Sequence, residues 1–188
     1  EVVPQDCLEA ARSLVKLGLQ VCVLNMANQN HVGGGYAHGA GAQEEDLCRR
    51  TDLLNSLPDF YEGTGGFGDF TVLYSEGVTV FRKGADAGYE VCKPDDRFQV
   101  NVVSSAAYNL GNDRSTSYKD PATTEYEIGM KRKIRGQLRA AKAAHDKALV
   151  LSAFGCGAFG NDSNRVAQFY LDVLSEQEFA NAFDYIKF

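Results

Sequence analysis

The sequence predicts a three-layer α/β fold, with helices on both faces of a central sheet. Three observations carry that prediction. Short β-branched apolar runs alternate along the chain with stretches of helical periodicity. The 19 glycines fall in clusters, two of them where a predicted strand hands over to a helix, and they form no repeat of the kind that marks solenoids and propellers. The length of 188 residues matches one domain at roughly 100–200 residues each, and no internal linker divides it.

Taken in order, residues 7–17 read as an amphipathic helix, with Leu8, Ala11, Leu14 and Leu17 at helical spacing and Gly18 placed to stop it. Residues 21–24 are a buried strand, a short apolar run closed by Asn25. A glycine-rich loop over 28–42 follows, then a helix from Gln43 that ends before Pro58. Residues 70–74 and 78–82 are expected as two short strands around a Ser-Glu-Gly turn, and 99–104 as another strand. The polar stretch 109–124, with Gly111, Asn112 and Pro121, reads as a surface loop. The longest predicted helix covers 125–145. Met130, Ile134, Leu138, Ala141 and His145 form its apolar stripe, while Lys131, Arg132, Arg135, Arg139 and Lys142 occupy the other faces. Those cations are read as the solvated outer face of an amphipathic helix rather than as a nucleic-acid surface. Residues 148–152 are a buried strand, 153–160 a second glycine-rich loop, 163–174 a helix and 185–188 a last strand.

Composition removes several function classes. Twenty-five acidic against 19 basic residues leave a net charge of −6, a poor match to general polyanion binding, which rests on neutralising phosphates. A phosphate-bearing ligand is therefore expected to be held locally, by backbone amides. The five cysteines (Cys7, Cys22, Cys48, Cys92, Cys156) are scattered, and the absence of a C-x-x-C pair excludes zinc ribbons and thioredoxin-type motifs. They are read as reduced thiols, which places the chain inside the cell, in cytoplasm or nucleus. No apolar run approaches the ~18–20 residues that span a bilayer, so no membrane partner is expected.

The chemistry concentrates in residues 28–45. This segment leaves a strand, passes Gly33, Gly34, Gly35, Gly39 and Gly41, and enters a helix carrying Glu44 and Glu45 in its first turn. Glycine lets backbone N–H groups approach a ligand closely, and a helix start adds free donors and partial positive charge, a combination that favours phosphate. Carboxylates in a first turn also occur simply because they complement the helix dipole. Three consecutive glycines favour a ligand site, since a plain connection rarely needs them. The same dipole favours the charged form of a glutamate there, so a proton-donor role requires bound diphosphate and excluded water to oppose it. Residues 152–162 repeat the strand–loop–helix grammar. Gly155 to Gly160 even satisfy G-x-G-x-x-G, but only 28 residues follow, too few for the second half of a dinucleotide-binding unit. What the two loops share is the ability to hold a diphosphate by amides.

Gly33-Gly-Gly, seven residues, then Gln43-Glu-Glu resembles the signature of poly(ADP-ribose) glycohydrolases. Gly155-Cys-Gly-Ala-Phe-Gly-Asn161 is similar to that family's diphosphate loop, and Leu24-Asn-Met-Ala-Asn28, Asp46-Leu-Cys-Arg-Arg50 and Val78-Thr-Val-Phe-Arg82 resemble segments of its bacterial-type branch. Bacterial-type members often have proline before the three glycines, where this chain has Val32. The resemblance runs from about residue 20 to about residue 165 and implies a macrodomain, with a mixed sheet between helices and ADP-ribose across the strand ends. It further implies Glu45 as catalytic acid and Glu44 as hydrogen-bond partner of the ribose hydroxyls. Asn28 would bind the distal ribose, Gly33, Gly34, Gly35, Gly157, Ala158, Gly160 and Asn161 would line the distal ribose and diphosphate, and Gln43 and Gly155 would also bind substrate. Phe159 would pack on the distal sugar. The adenine-stacking aromatic is not fixed by a motif, with Phe183 and Phe188 as candidates, and part of an adenine pocket is expected beyond Phe188.

The chemistry then expected is hydrolysis of a ribose–ribose bond of poly(ADP-ribose) by a monomer, through an oxocarbenium-like transition state. Glu45 would give and then retake one proton. Removal of single ADP-ribose units from protein or nucleic acid, and non-catalytic ADP-ribose reading, are the alternatives. The intact Gln43-Glu44-Glu45 speaks against the reader. No cofactor is implied, and His31, His38 and His145 show no metal-ligand spacing. His31 and His38 are read as solvent-facing loop residues, and Cys156 as a small residue in a tight loop rather than a nucleophile.

Overall fold

Alternation of apolar side chains along the strands builds the molecule outward from one sheet. The structure is a computed structural model that describes residues 1–57, 66–111 and 118–188. In chain order the elements are α1 (Cys7–Val15), β1 (Val21–Met26), α2 (Gln43–Arg50), β2 (Leu73–Val80), β3 (Phe98–Ser105), α3 (Thr124–Ala143), β4 (Ala148–Val150), α4 (Ser163–Leu174) and β5 (Tyr185–Lys187). The strands form a sheet in the order β2-β3-β1-β4-β5, with β2 antiparallel to β3 and the other neighbours parallel.

Successive residues of a strand point to opposite faces, and two cores result. Val21, Val23, Val100, Val102 and Val150 pack on one face with Leu8, Ala11 and Leu14 of α1 and Leu47 of α2. Cys22, Leu24, Val103 and Leu149 pack on the other with Met130, Ile134 and Leu138 of α3 and Val166, Phe169 and Tyr170 of α4. This is the predicted three-layer arrangement. Helices as short as α1 are marginal alone, and burying Leu8 and Leu14 contributes about 1.5–3 kcal/mol each. Asp6 adds a cap by accepting from the N–H groups of Leu8 and Glu9.

Several boundaries differ from the sequence expectation. Leu17 is exposed, because α1 has already ended and Gly18 turns the chain with φ +77°. The helix from Gln43 stops at Arg50, where Thr51 becomes extended and bridges Val80; a short 3-10 turn, Leu53–Ser56, follows. The two strands expected around Ser-Glu-Gly are one strand, β2, with a bulge between Ser75 and Val78. Its partner is β3, and the Gly77 N–H donates to Asn101 Oδ1 at 3.0 Å. His145 lies outside α3 with φ +63° and is exposed, so it is not part of the apolar stripe. Lys131, Arg135 and Arg139 lie on the outer side of α3, paired with Glu127 and Asp172, Glu176, and Glu178. Residues 112–117 of the expected loop over 109–124 lie outside the described residues.

Because β3, β1 and β4 are parallel neighbours, their C-terminal ends open on the same side. The two glycine loops follow β1 and β4, which are hydrogen-bonded to each other. Parallel pairing is thus what brings residues 28–42 and 151–160 together.

Candidate active site between the two glycine loops

A cavity of about 290 Å³ lies at these strand ends. Its walls come from Met26, Ala27 and Asn28 after β1, Ala42 to Glu45 at the start of α2, Ala107 after β3, and Phe154, Gly155, Gly157, Ala158 and Phe159 after β4.

α2 presents both glutamates as buried carboxyls. Glu44 is 4% exposed and Glu45 8%. Glu44 accepts from the Asn28 N–H on Oε2 at 2.7 Å and from the Gly33 N–H on Oε1 at 3.2 Å. Glu45 accepts from the Gly35 N–H on Oε1 at 3.0 Å, whereas its buried Oε2 has no hydrogen-bond partner. Gly33 and Gly34 carry φ of +72° and +55°. A Cβ on Gly34 would meet Glu45 Oε1 at 2.3 Å. Gly34 is therefore required by the packing of the two carboxyls against the loop.

Burial raises the Glu44 carboxyl from its ordinary 4.5 to about 8, against the backbone N–H bonds that favour the charged form, and the neighbouring Glu45 adds to the rise. The opposing effect expected from the helix start is overcome here at Glu44 chiefly by burial, with the Glu45 carboxyl adding to it.

The expected binding residues divide into those that line the cavity and those that support it. Asn28, Gly155, Gly157, Ala158 and Phe159 line it. Asn28 uses its Oδ1 to accept from the N–H groups of Asn30 and His31, which fixes the turn. Gly33, Gly34 and Gly35 lie behind the glutamates, and Gly160 is likewise not part of the wall. Gln43 touches the cavity, but its side chain pins α2 to β1: Nε2 donates to Leu24 O at 2.6 Å, and Oε1 accepts from the Met26 N–H at 2.9 Å. The side chain of Asn161 is not available as a ligand contact. Its Nδ2 donates to Tyr108 O and Gly155 O, and its Oδ1 accepts from the Tyr126 hydroxyl at 2.7 Å. These two polar side chains anchor the loops, which leaves the backbone of Gln43 and Asn161 as the part that could meet a ligand. A motif shows that a residue type is needed, but not whether it faces the ligand or the scaffold.

Phe188 packs edge-on to Tyr170 at 5.2 Å and lines a neighbouring cavity of about 270 Å³ that shares Ala42 and Gln43 with the first. Phe183 packs, half-buried, on the α3/α4 core. His31 and His38 are exposed. Burial raises the Cys156 thiol, which disfavours the nucleophilic thiolate. Among the described residues, no group of His, Cys, Asp and Glu could hold a metal ion, and no helix is long and apolar enough to cross a membrane.

Tyr126, Asn25 and Lys133 also support the loops and strands around the cavity, and the sequence does not single them out. Asn25 is fully buried beside Glu44 and donates to Ser104 Oγ. Lys133 is buried on α3, donates to Asp69 O and faces the Tyr108 ring at 4.6 Å. No local signal marks Tyr126 or Lys133, because their partners lie 35 and 64 residues away.

Residues 1–83 match the family described as microbial-type PARG, catalytic domain. The structure is similar to that of a poly(ADP-ribose) glycohydrolase (PARG) from Thermomonospora curvata, with TM-score 0.82 and 34% identity over 100% of this chain and 69% of that one. The same enzyme bound to the inhibitor ADP-HPD gives TM-score 0.82 and 34% identity, with 71% of that chain covered. A poly(ADP-ribose) glycohydrolase from Deinococcus radiodurans in complex with ADP-ribose gives TM-score 0.81 and 30% identity, over 100% of this chain and 75% of that one. Comparison with curated proteins finds no match.

Proposed function

The chain belongs to the microbial-type poly(ADP-ribose) glycohydrolase family, and from that premise we propose that it hydrolyses the ribose–ribose O-glycosidic bond of poly(ADP-ribose), releasing ADP-ribose, with Glu45 as general acid and base. The observation that carries the assignment of the acid is the asymmetry of the Glu45 carboxyl: one oxygen is held by the Gly35 N–H, the other is buried without a partner, and the residue lines the cavity.

Protonated Glu45 gives its proton to the departing ribose oxygen as the glycosidic bond breaks, leaving an oxocarbenium-like sugar. Water then adds to the anomeric carbon and returns a proton to the Glu45 carboxylate, which restores the starting state. Glu44 hydrogen-bonds the hydroxyls of the reacting ribose. Carried partly protonated into the neutral range, it donates to one hydroxyl and accepts from another. Phe159 packs on the sugar, and the backbone of Gly155, Gly157 and Ala158 faces the diphosphate. Phe188, on the adjoining cavity, stands on the adenine side. The enzyme acts as a monomer inside the cell, where five unpaired thiols are stable.

The test is product analysis with polymer and a mono-ADP-ribosylated protein assayed side by side. Release of ADP-ribose from polymer is the expected result. Release from the mono-ADP-ribosylated protein alone would assign a mono-ADP-ribose hydrolase, and tight binding with no release from either would assign a reader.

A further inference from the structure

α2 meets the first glycine loop at three successive points. Glu44 takes the N–H of Gly33 and Glu45 that of Gly35. One turn beyond Glu45, Arg49 donates from Nη2 to Tyr36 O at 2.8 Å and to Ala40 O at 2.5 Å. The order follows charge: carboxyls near the helix start take donors, and a guanidinium near its end takes acceptors. Tyr89 backs the guanidinium, with its ring centroid 5.9 Å from Cζ.

The segment that Arg49 grips is continuous with the residue that touches the acid. Between Gly35 and Ala40 lies the 3-10 turn Tyr36–His38, and the N–H groups of both His38 and Ala40 return to Gly35 O. Gly35 is thus held from the far side through the turn, while its own N–H faces Glu45 Oε1. The fit is close, since a Cβ on Gly34 would lie 2.3 Å from that oxygen. A small outward shift of the turn would release Oε1 and free the carboxyl to rotate.

We propose that Arg49 is a positioning residue for the reaction: by holding the Tyr36 and Ala40 carbonyls it seats the Gly35 N–H on Glu45 Oε1, and so keeps Oε2 as the oxygen that exchanges the proton. This rests on the reading of Glu45 as the acid. Arg49 acts through the loop and does not touch substrate.

The experiment measures kcat and KM on polymer, and ADP-ribose affinity by calorimetry, for Arg49→Ala, Arg49→Lys, Glu45→Gln and the Arg49→Ala/Glu45→Gln double variant. Misplacing a reacting group by about 1 Å costs about 10²-fold, so kcat of Arg49→Ala is expected to fall by about 10–10²-fold. KM and ADP-ribose affinity are expected to stay within about twofold. Lysine keeps a cation with several donors and is expected to recover part of kcat. In the Glu45→Gln background, Arg49→Ala is expected to cost nothing further, because the group that it positions is already inert. Unchanged kcat in Arg49→Ala, an equal loss in affinity, or the same fold-loss in both backgrounds would overturn the proposal. Wild-type turnover by Glu45→Gln would remove the Glu45 reading and this proposal together, whereas an inactive Glu45→Gln beside a fully active Arg49→Ala removes only the proposal. If Arg49→Ala does not fold, Arg49→Gln takes its place in the same cycle with the same expected and contrary outcomes.

Discussion

Glu44→Gln tests how strongly the fold holds its buried carboxyl. The native state raises this group from 4.5 to about 8, chiefly by burial. A folded value above the unfolded one means that between pH 4.5 and 8 the native protein keeps a proton that the unfolded chain has released. The associated stability is fully present below pH 4.5 and is lost as pH rises through 8. The shift corresponds to about 5 kcal/mol across that window. Glutamine does not titrate, so this dependence vanishes in the variant. It also sets an amide where the Asn28 or Gly33 N–H needs an acceptor, a pH-independent offset of about 1–3 kcal/mol. The slope is therefore the diagnostic quantity. Urea unfolding of both proteins at half-unit steps from pH 4.5 to 8.5 gives the difference directly, and groups common to both, such as Asp146, cancel. The expected result is a variant that gains on the wild type steadily as pH rises. Parallel profiles would show that folding does not raise the Glu44 carboxyl.

Gly34→Ala places a Cβ 2.3 Å from Glu45 Oε1 at a residue with φ +55°. It should cost about 1–2 kcal/mol of stability from the backbone alone, and turnover should fall by about 10²–10⁴ as the acid is displaced; denaturation and steady-state kinetics check both. Tyr126→Phe removes the buried hydroxyl that donates to Asn161 Oδ1, at a cost of about 1–3 kcal/mol. Because Asn161 ties the second loop to Tyr108 and Gly155, calorimetry should show weaker ADP-ribose binding. Burial lowers Lys133 from 10.5 to about 8. The native state thus binds its proton less tightly than the unfolded chain, and stability rises between pH 8 and 10.5 by up to about 3 kcal/mol. Lys133→Met should abolish that rise in the same unfolding assay.

What the sequence made legible was set by local physics. A loop that needs positive φ at Gly33 and Gly34 announces itself as glycine, and the apolar runs of β1 and β4 need no partner to be recognised. α4 begins and ends where its periodicity does. The bulge in β2 was not legible, because Ser-Glu-Gly suits a hairpin turn as well, and only pairing with β3 decides between them. The end of α2 is likewise set from outside, by Val80 capturing Thr51. In the candidate site, the glycine loops and the glutamates beside them were readable, and the scaffold bonds of Gln43 and Asn161 were not. Those amides bond to backbone groups of Leu24, Tyr108 and Gly155, which only the folded chain brings within reach. A charged Lys133 belongs on an outer helix face by composition, and its burial follows from the Asp69 carbonyl and the Tyr108 ring.

If Glu45 carries the proton while the diphosphate is held elsewhere, turnover of polymer and affinity for ADP-ribose part company in Glu45→Gln. Glutamine keeps the size of the side chain and an acceptor for the Gly35 N–H, but it cannot give and retake a proton. Turnover is expected to fall by about 10²–10⁴, with calorimetric affinity for ADP-ribose near that of the wild type. Turnover close to wild type would contradict it, and would leave Glu45 as an acid that only complements the start of α2.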